Sequence, residues 1–157
     1  MMKKLICAAT FTLAFTYSLP TFAGGILRDA KAPHLVHRNA HPNNARVPAT
    51  HHFEVHVQGS DLSQLSVDVP ENIKLSDRIV VTDRSGKKVD TNVSTNDRKV
   101  TIAFTQPVPN GTNLSVSMKD VKTRSLQGRT WVYPVYGRNV GINADVPIGI
   151  ARIQTYR

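Results

Sequence analysis

Cysteine is almost missing from this chain of 157 residues: Cys7 is the only one. It falls in a leader-like segment, so the chain left after cleavage would hold no thiol. That excludes disulfides, a thiolate nucleophile and cysteine metal ligands. Aromatic residues are few, at 6% with a single tryptophan. Single-strand nucleic-acid readers set exposed aromatics among basic residues. No such interleaving occurs here, which argues against nucleic acid as a partner. Helical periodicity is lacking: no segment repeats its apolar residues at the spacing of a surface helix. Catalytic signatures are lacking too. There is no Gly-x-Ser-x-Gly elbow, no phosphate loop and no dinucleotide fingerprint. Nothing singles out a pair among the 11 acidic residues for glycoside chemistry. The chain reads as a protein that is not an enzyme.

What is present begins at the N-terminus. Lys3 and Lys4 precede an uncharged apolar run over 5–17, followed by Pro20 and Thr21-Phe22-Ala23. That order predicts a secretory signal peptide over 1–23, cleaved after Ala23. A membrane-spanning helix needs ~20 apolar residues, more than this run supplies before its proline. Cys7 lies too early in the run for lipid attachment. The expected product, 24–157, is long enough for one domain with its own core. It is placed in the periplasm or outside the cell, as a monomer. Losing Lys3 and Lys4 leaves 18 basic against 11 acidic residues. Such an excess draws a protein to anionic partners.

Residues 24–50 are rich in Gly, Pro, Asn, His and Arg, and Pro33, Pro42 and Pro48 interrupt any helix. This stretch reads as an irregular N-terminal arm. From residue 51 the texture changes to short runs rich in Val, Ile, Thr and Phe, separated by turn signals. Strands are expected near 51–58, 63–69, 78–83, 87–93, 98–105, 112–119, 129–137 and 148–155. Alternation supports them: Val100, Ile102 and Phe104 share one face, as do Leu114, Val116 and Met118. Trp131, Tyr133 and Val135 also share a face and read as core. Such one-sided strands fit two antiparallel sheets packed together. The expected fold is all-β: an immunoglobulin-like antiparallel β-sandwich of seven to eight strands over 51–157. A β-barrel is the alternative.

Two groups of residues stand out. All six histidines fall between His34 and His56. In "HHFEVHV", residues 51–57, period-two alternation turns Phe53, Val55 and Val57 inward and His52, Glu54 and His56 outward. These three are the candidate metal ligands, for copper or zinc. His52 and His56 are too far apart on a regular strand to share one ion, so further ligands would have to come from His34, His37 or His41. The other reading is a polar strand face. The second group is basic. If the strands from 78 to 119 run up and down within one sheet, their turns alternate between its ends. Arg98, Lys99, Lys119, Lys122, Arg124 and Arg129 then gather at one end, with Arg84, Lys87 and Lys88 at the other.

Three segments carry a resemblance to a known family. They are Arg46-Val47-Pro48 with the strand His52–Val57, then "KVTIAFTQPVPNGTNLSVSMKDVKTRS", then "WVYPVYG" with the closing "IGIARIQTY". Together they resemble a secreted cyanobacterial family catalogued as domain of unknown function 2808, over residues 45–157. The resemblance implies export and a β-rich fold, and it carries over no catalytic residue. The family's matching first strand looks aromatic, so the histidines are particular to this chain. "RIVVTDRSGKKV" bears a weaker, local likeness to periplasmic copper-binding sandwiches of the copper-resistance C type.

The expected function is a non-catalytic binding or structural role at the cell envelope. The basic group would meet an anionic partner, polysaccharide or lipid, or another envelope protein. A periplasmic copper- or zinc-binding protein using residues 34–56 is the alternative.

Overall fold

The computed structural model describes residues 31–157 apart from Asp97 and Leu126. The expected signal segment, its cleavage at Ala23 and the first residues of the arm lie outside the described residues. The described residues form ten strands: β1 (His34–His41), β2 (Ala49–His56), β3 (Leu62–Asp68), β4 (Ile73–Lys74), β5 (Ile79–Asp83), β6 (Thr91–Asn96), β7 (Lys99–Val108), β8 (Asn113–Thr123), β9 (Arg129–Asn139) and β10 (Val146–Thr155). No helix occurs among the described residues. One sheet has the order β1-β2-β8-β4, with β5 also paired to β8, and the other has the order β10-β9-β3-β7-β6. All of these pairings are antiparallel.

The inner faces follow from alternation. Phe53, Val55 and Val57 of the first sheet are fully buried, as are Leu114 and Val116. They meet Leu65, Val67, Val100 and Ile102 of the second. Trp131, Tyr133 and Val135 lie in the same core, as their shared face implies. Trp131 satisfies its indole N–H with the Thr155 hydroxyl at 2.9 Å. That pairing lets the ring be buried without a stranded donor.

Three expectations need correction. Residues 34–41 form strand β1 rather than an irregular arm. β1 is an edge strand, and a bulge between Leu35 and Arg38 breaks its alternation, so the sequence carries no clean period of two. Pro33 and Pro42 bound it rather than interrupt it. The expected strand over 87–93 is displaced to β6. Residues 87–90 instead cross between the sheets: the Val89 N–H reaches the Val81 carbonyl, and the Asp90 carbonyl accepts from Thr105 N–H. The strands from 78 to 119 therefore do not run up and down in one sheet. β5 and β8 lie in the first sheet, β6 and β7 in the second. Each crossing still reverses the chain, so alternate turns lie at opposite ends of the sandwich.

Two details position the surface. The turn after β5 is held by Asp83, whose Oδ1 accepts from Ser85 N–H at 2.8 Å and Lys87 N–H at 3.0 Å. Gly86 takes the positive φ that this turn requires. In β8 one extra residue is inserted between Met118 and Val121 relative to β2. Asp120 sits in this bulge at φ 55.

Candidate functional site

The histidines divide by face. His51 is fully buried, and its Nδ1 lies 2.6 Å from the Tyr133 hydroxyl. Burial pushes the Tyr133 hydroxyl pKa up, so it keeps its proton and shares one hydrogen bond with a neutral His51. The same burial lowers the His51 pKa to about 4. Its Nε2 is left without a partner. This pair joins β2 of one sheet to β9 of the other.

On the outer face, His52 and Glu54 are brought together, with Nε2 3.5 Å from Oε1. The Nδ1 of His52 lies 3.3 Å from Ser117 Oγ and 3.4 Å from Ser115 Oγ. His56 does not join them. It sits opposite His34 of β1, ring centroids 5.2 Å apart and nearly edge to face. Among the described residues, no group of three or more His, Cys, Asp or Glu side chains is placed to hold a metal ion.

The row Ser117–His52–Glu54 contains the residue types of a hydrolytic triad, which sequence spacing alone did not reveal. It lacks what acyl transfer needs next to the nucleophile. Backbone N–H groups aimed at an oxyanion supply much of that catalysis. Here β8 pairs with β2 on one side and β5 on the other, so the N–H groups around Ser115 and Ser117 are committed to the sheet.

The basic residues fall as follows. Lys99 opens β7 and Arg98 precedes it, its carbonyl accepting from Val69 N–H. The segment after Val69 leads into β4, whose Ile73 and Lys74 pair with Thr123 and Lys122. Arg124 N–H donates to the Asn72 carbonyl. Arg129 begins β9 opposite Thr155. Its end of the sandwich is tied to β8 through Ala45, whose carbonyl accepts from Thr123 Oγ1. Thus Arg98, Lys99, Lys122, Arg124 and Arg129 share one end. Lys119 lies before the bulge on the outer sheet face.

Their charges are not equally free. Arg98 pairs with Glu71 at 2.9 Å and Lys99 with Asp145 at 3.4 Å. Asp145 also holds Arg138 at 2.8 Å, and its carboxyl stays below the usual range because Arg138 and Lys99 together outweigh its desolvation. Arg129 lies over the Trp131 ring. Among the described residues, no ion pair engages Lys74, Lys122 or Arg124. Lys74 and Lys122 are directly opposite each other on paired strands. The sequence reading missed Lys74 because β4 is only two residues long and leaves no periodic trace.

Two packed antiparallel sheets of this kind define an immunoglobulin-like β-sandwich. The chain belongs to the family described as protein of unknown function, DUF2808, whose model matches residues 22–133. The match takes in the first two of the three resembling segments and ends at Tyr133. No curated protein matches the chain in sequence. Among solved structures it is similar to ACE19, the collagen-binding subdomain of the Enterococcus faecalis surface protein ACE. The TM-score is 0.50 at 11% identity, covering 83% of this chain and 99% of that one. It is also similar to BslA, a bacterial hydrophobin, with TM-score 0.51, 8% identity and coverage of 78% and 91%. A collagen-binding domain from a Staphylococcus aureus adhesin has TM-score 0.46 at 9% identity, with 80% and 97% covered. At such identities the likeness is one of fold.

Proposed function

We propose that this chain is an exported, non-catalytic binding or structural domain of the cell envelope. The end carrying Lys74, Lys122 and Arg124 is where it meets an anionic partner, polysaccharide or lipid surface. The observation that carries this reading is the Lys74–Lys122 pair. Like charges directly opposite on neighbouring strands destabilise a sheet. Here both side chains are exposed, and Arg124, also exposed, follows Lys122 by two residues just past the end of β8. A multivalent anion laid across the three relieves that repulsion and gains three charge-assisted contacts. The opposite end supports the contrast, because Arg84, Lys87 and Lys88 there are flanked by Asp83 and Asp90. The fold supports a binding role only in general terms; the partner's chemistry is taken from the charges.

The test is adsorption to phosphatidylglycerol vesicles and to alginate beads at low and at physiological salt. Wild-type protein is expected to bind one of the two and to be released by salt. The variant Lys74→Glu/Lys122→Glu/Arg124→Glu is expected to lose that binding, whereas Arg84→Glu/Lys87→Glu/Lys88→Glu keeps it. Equal adsorption by both variants would overturn the assignment. Binding to vesicles alone or to alginate alone identifies the source of the anionic groups.

A further inference from the structure

We infer that His34 and His56 form a cross-strand clip for a divalent late transition-metal ion, on the outer face of the first sheet. The clip differs from the set His52, Glu54 and His56 suggested by the strand sequence, because its second ligand comes from the neighbouring strand.

Four observations converge on it. First, the two residues are register partners on β1 and β2, so both side chains leave the sheet on the same side. Second, their ring centroids are 5.2 Å apart. Two imidazoles on one tetrahedral ion, with metal–nitrogen distances of ~2.0–2.1 Å, have centroids roughly 5 Å apart. The observed spacing therefore already matches the bound one. What differs is ring rotation, since the planes meet at 71°. Turning an imidazole about χ2 leaves its centroid nearly in place, and that torsion is broad and soft.

Third, His34 Nδ1 lies 3.4 Å from the Ala32 carbonyl. Donation from Nδ1 to a backbone carbonyl fixes the tautomer and leaves Nε2 free to ligate, the arrangement usual for metal-binding histidines. Fourth, the row continues to Asn113 of β8, the register partner of His56. Its Oδ1 is a buried acceptor with no partner. A buried unsatisfied acceptor is costly. His56 makes no hydrogen bond to it as placed; the rotation about χ2 that turns the ring to the metal would have to bring its second ring N–H to this acceptor. Solvent supplies the remaining ligands, because both histidines are only half-buried. A groove of about 570 Å³ is lined by His37, Glu54 and Asn113 among others, and by neither clip histidine.

Imidazole pairs suit Cu²⁺, Ni²⁺ and Zn²⁺, with Cu²⁺ bound most tightly. Calorimetric titration of the untagged protein at pH 7.5 with each ion is expected to give one equivalent per chain, Cu²⁺ strongest. Cu²⁺ electron paramagnetic resonance should report two nitrogen ligands. His34→Ala and His56→Ala should each abolish the stoichiometric binding while leaving the melting temperature in place. Asn113→Ala should weaken it about tenfold, and His52→Ala should leave it unchanged. No stoichiometric binding, or binding that survives His34→Ala, overturns the clip. Loss with His52→Ala would move the site to the His52–Glu54 pair and overturn the clip as well. None of these outcomes bears on anion adsorption at the other site.

Discussion

His51 and His52 are neighbours in sequence and opposites in circumstance. The first lies among Phe53, Val55 and Tyr133, fully buried and neutral; the second lies in a polar row with Glu54, Ser115 and Ser117. One residue of strand separates a core histidine from a surface one, because successive side chains leave a strand on opposite sides. The composition of "HHFEVHV" therefore says little about metal, and the face each histidine takes says a good deal. The inner face is governed by packing and desolvation, and the outer face by water and neighbouring charges.

The difference can be broken at several points. The largest effect is expected inside. Phe53→Ala removes a fully buried ring and should cost about 3–5 kcal/mol in urea unfolding. A cost below 1 kcal/mol would mean that the inner face is not close-packed. Next comes pH. His51 has a folded-state pKa lowered to about 4, so its contribution to stability is complete above the unfolded value near 6.5 and declines as pH falls toward 4. Between pH 7.5 and 4.5 the loss from this residue should be roughly 2–3 kcal/mol. It is measured as the difference in pH dependence between wild type and His51→Leu. Parallel profiles would show that His51 does not titrate against folding. The smallest effect is expected outside. His52→Ala should change stability by no more than about 0.5 kcal/mol, since its partners remain solvated when it is gone. A loss comparable to that of Phe53→Ala would erase the distinction between the faces.

The inner residues were legible because a single number, the period of two, decides them. Phe53, Val100, Ile102, Leu114, Val116, Trp131 and Tyr133 all point where alternation puts them. β1 was not legible, because its bulge breaks the period and its edge position leaves it few apolar residues. Strand order was not legible at all. Nothing local in 49–56 says that its partners are 34–41 and 113–123. The same limit hid the juxtapositions that matter most on the surface. His52 and Glu54 are two residues apart on one strand and could be paired from sequence. His34 with His56, and Lys74 with Lys122, are neighbours only through register.

The extra residue in β8 has a consequence for the basic end. Without it, strict alternation would carry on from Met118, sending residues 119 and 121 outward and 120 and 122 inward. With Asp120 set aside in the bulge, Val121 returns to the core and Lys119 and Lys122 both face water. A three-residue spacing that would divide two lysines between opposite faces now puts them on one. Deleting Asp120 would leave Lys119 and Lys122 two residues apart on a regular strand, so both would still face water and Val121 the core; straightening the strand with Asp120 kept in the ladder is what would divide the two lysines. The cationic surface is thus a product of register as much as of composition: the same residues in an unbulged strand would not have it.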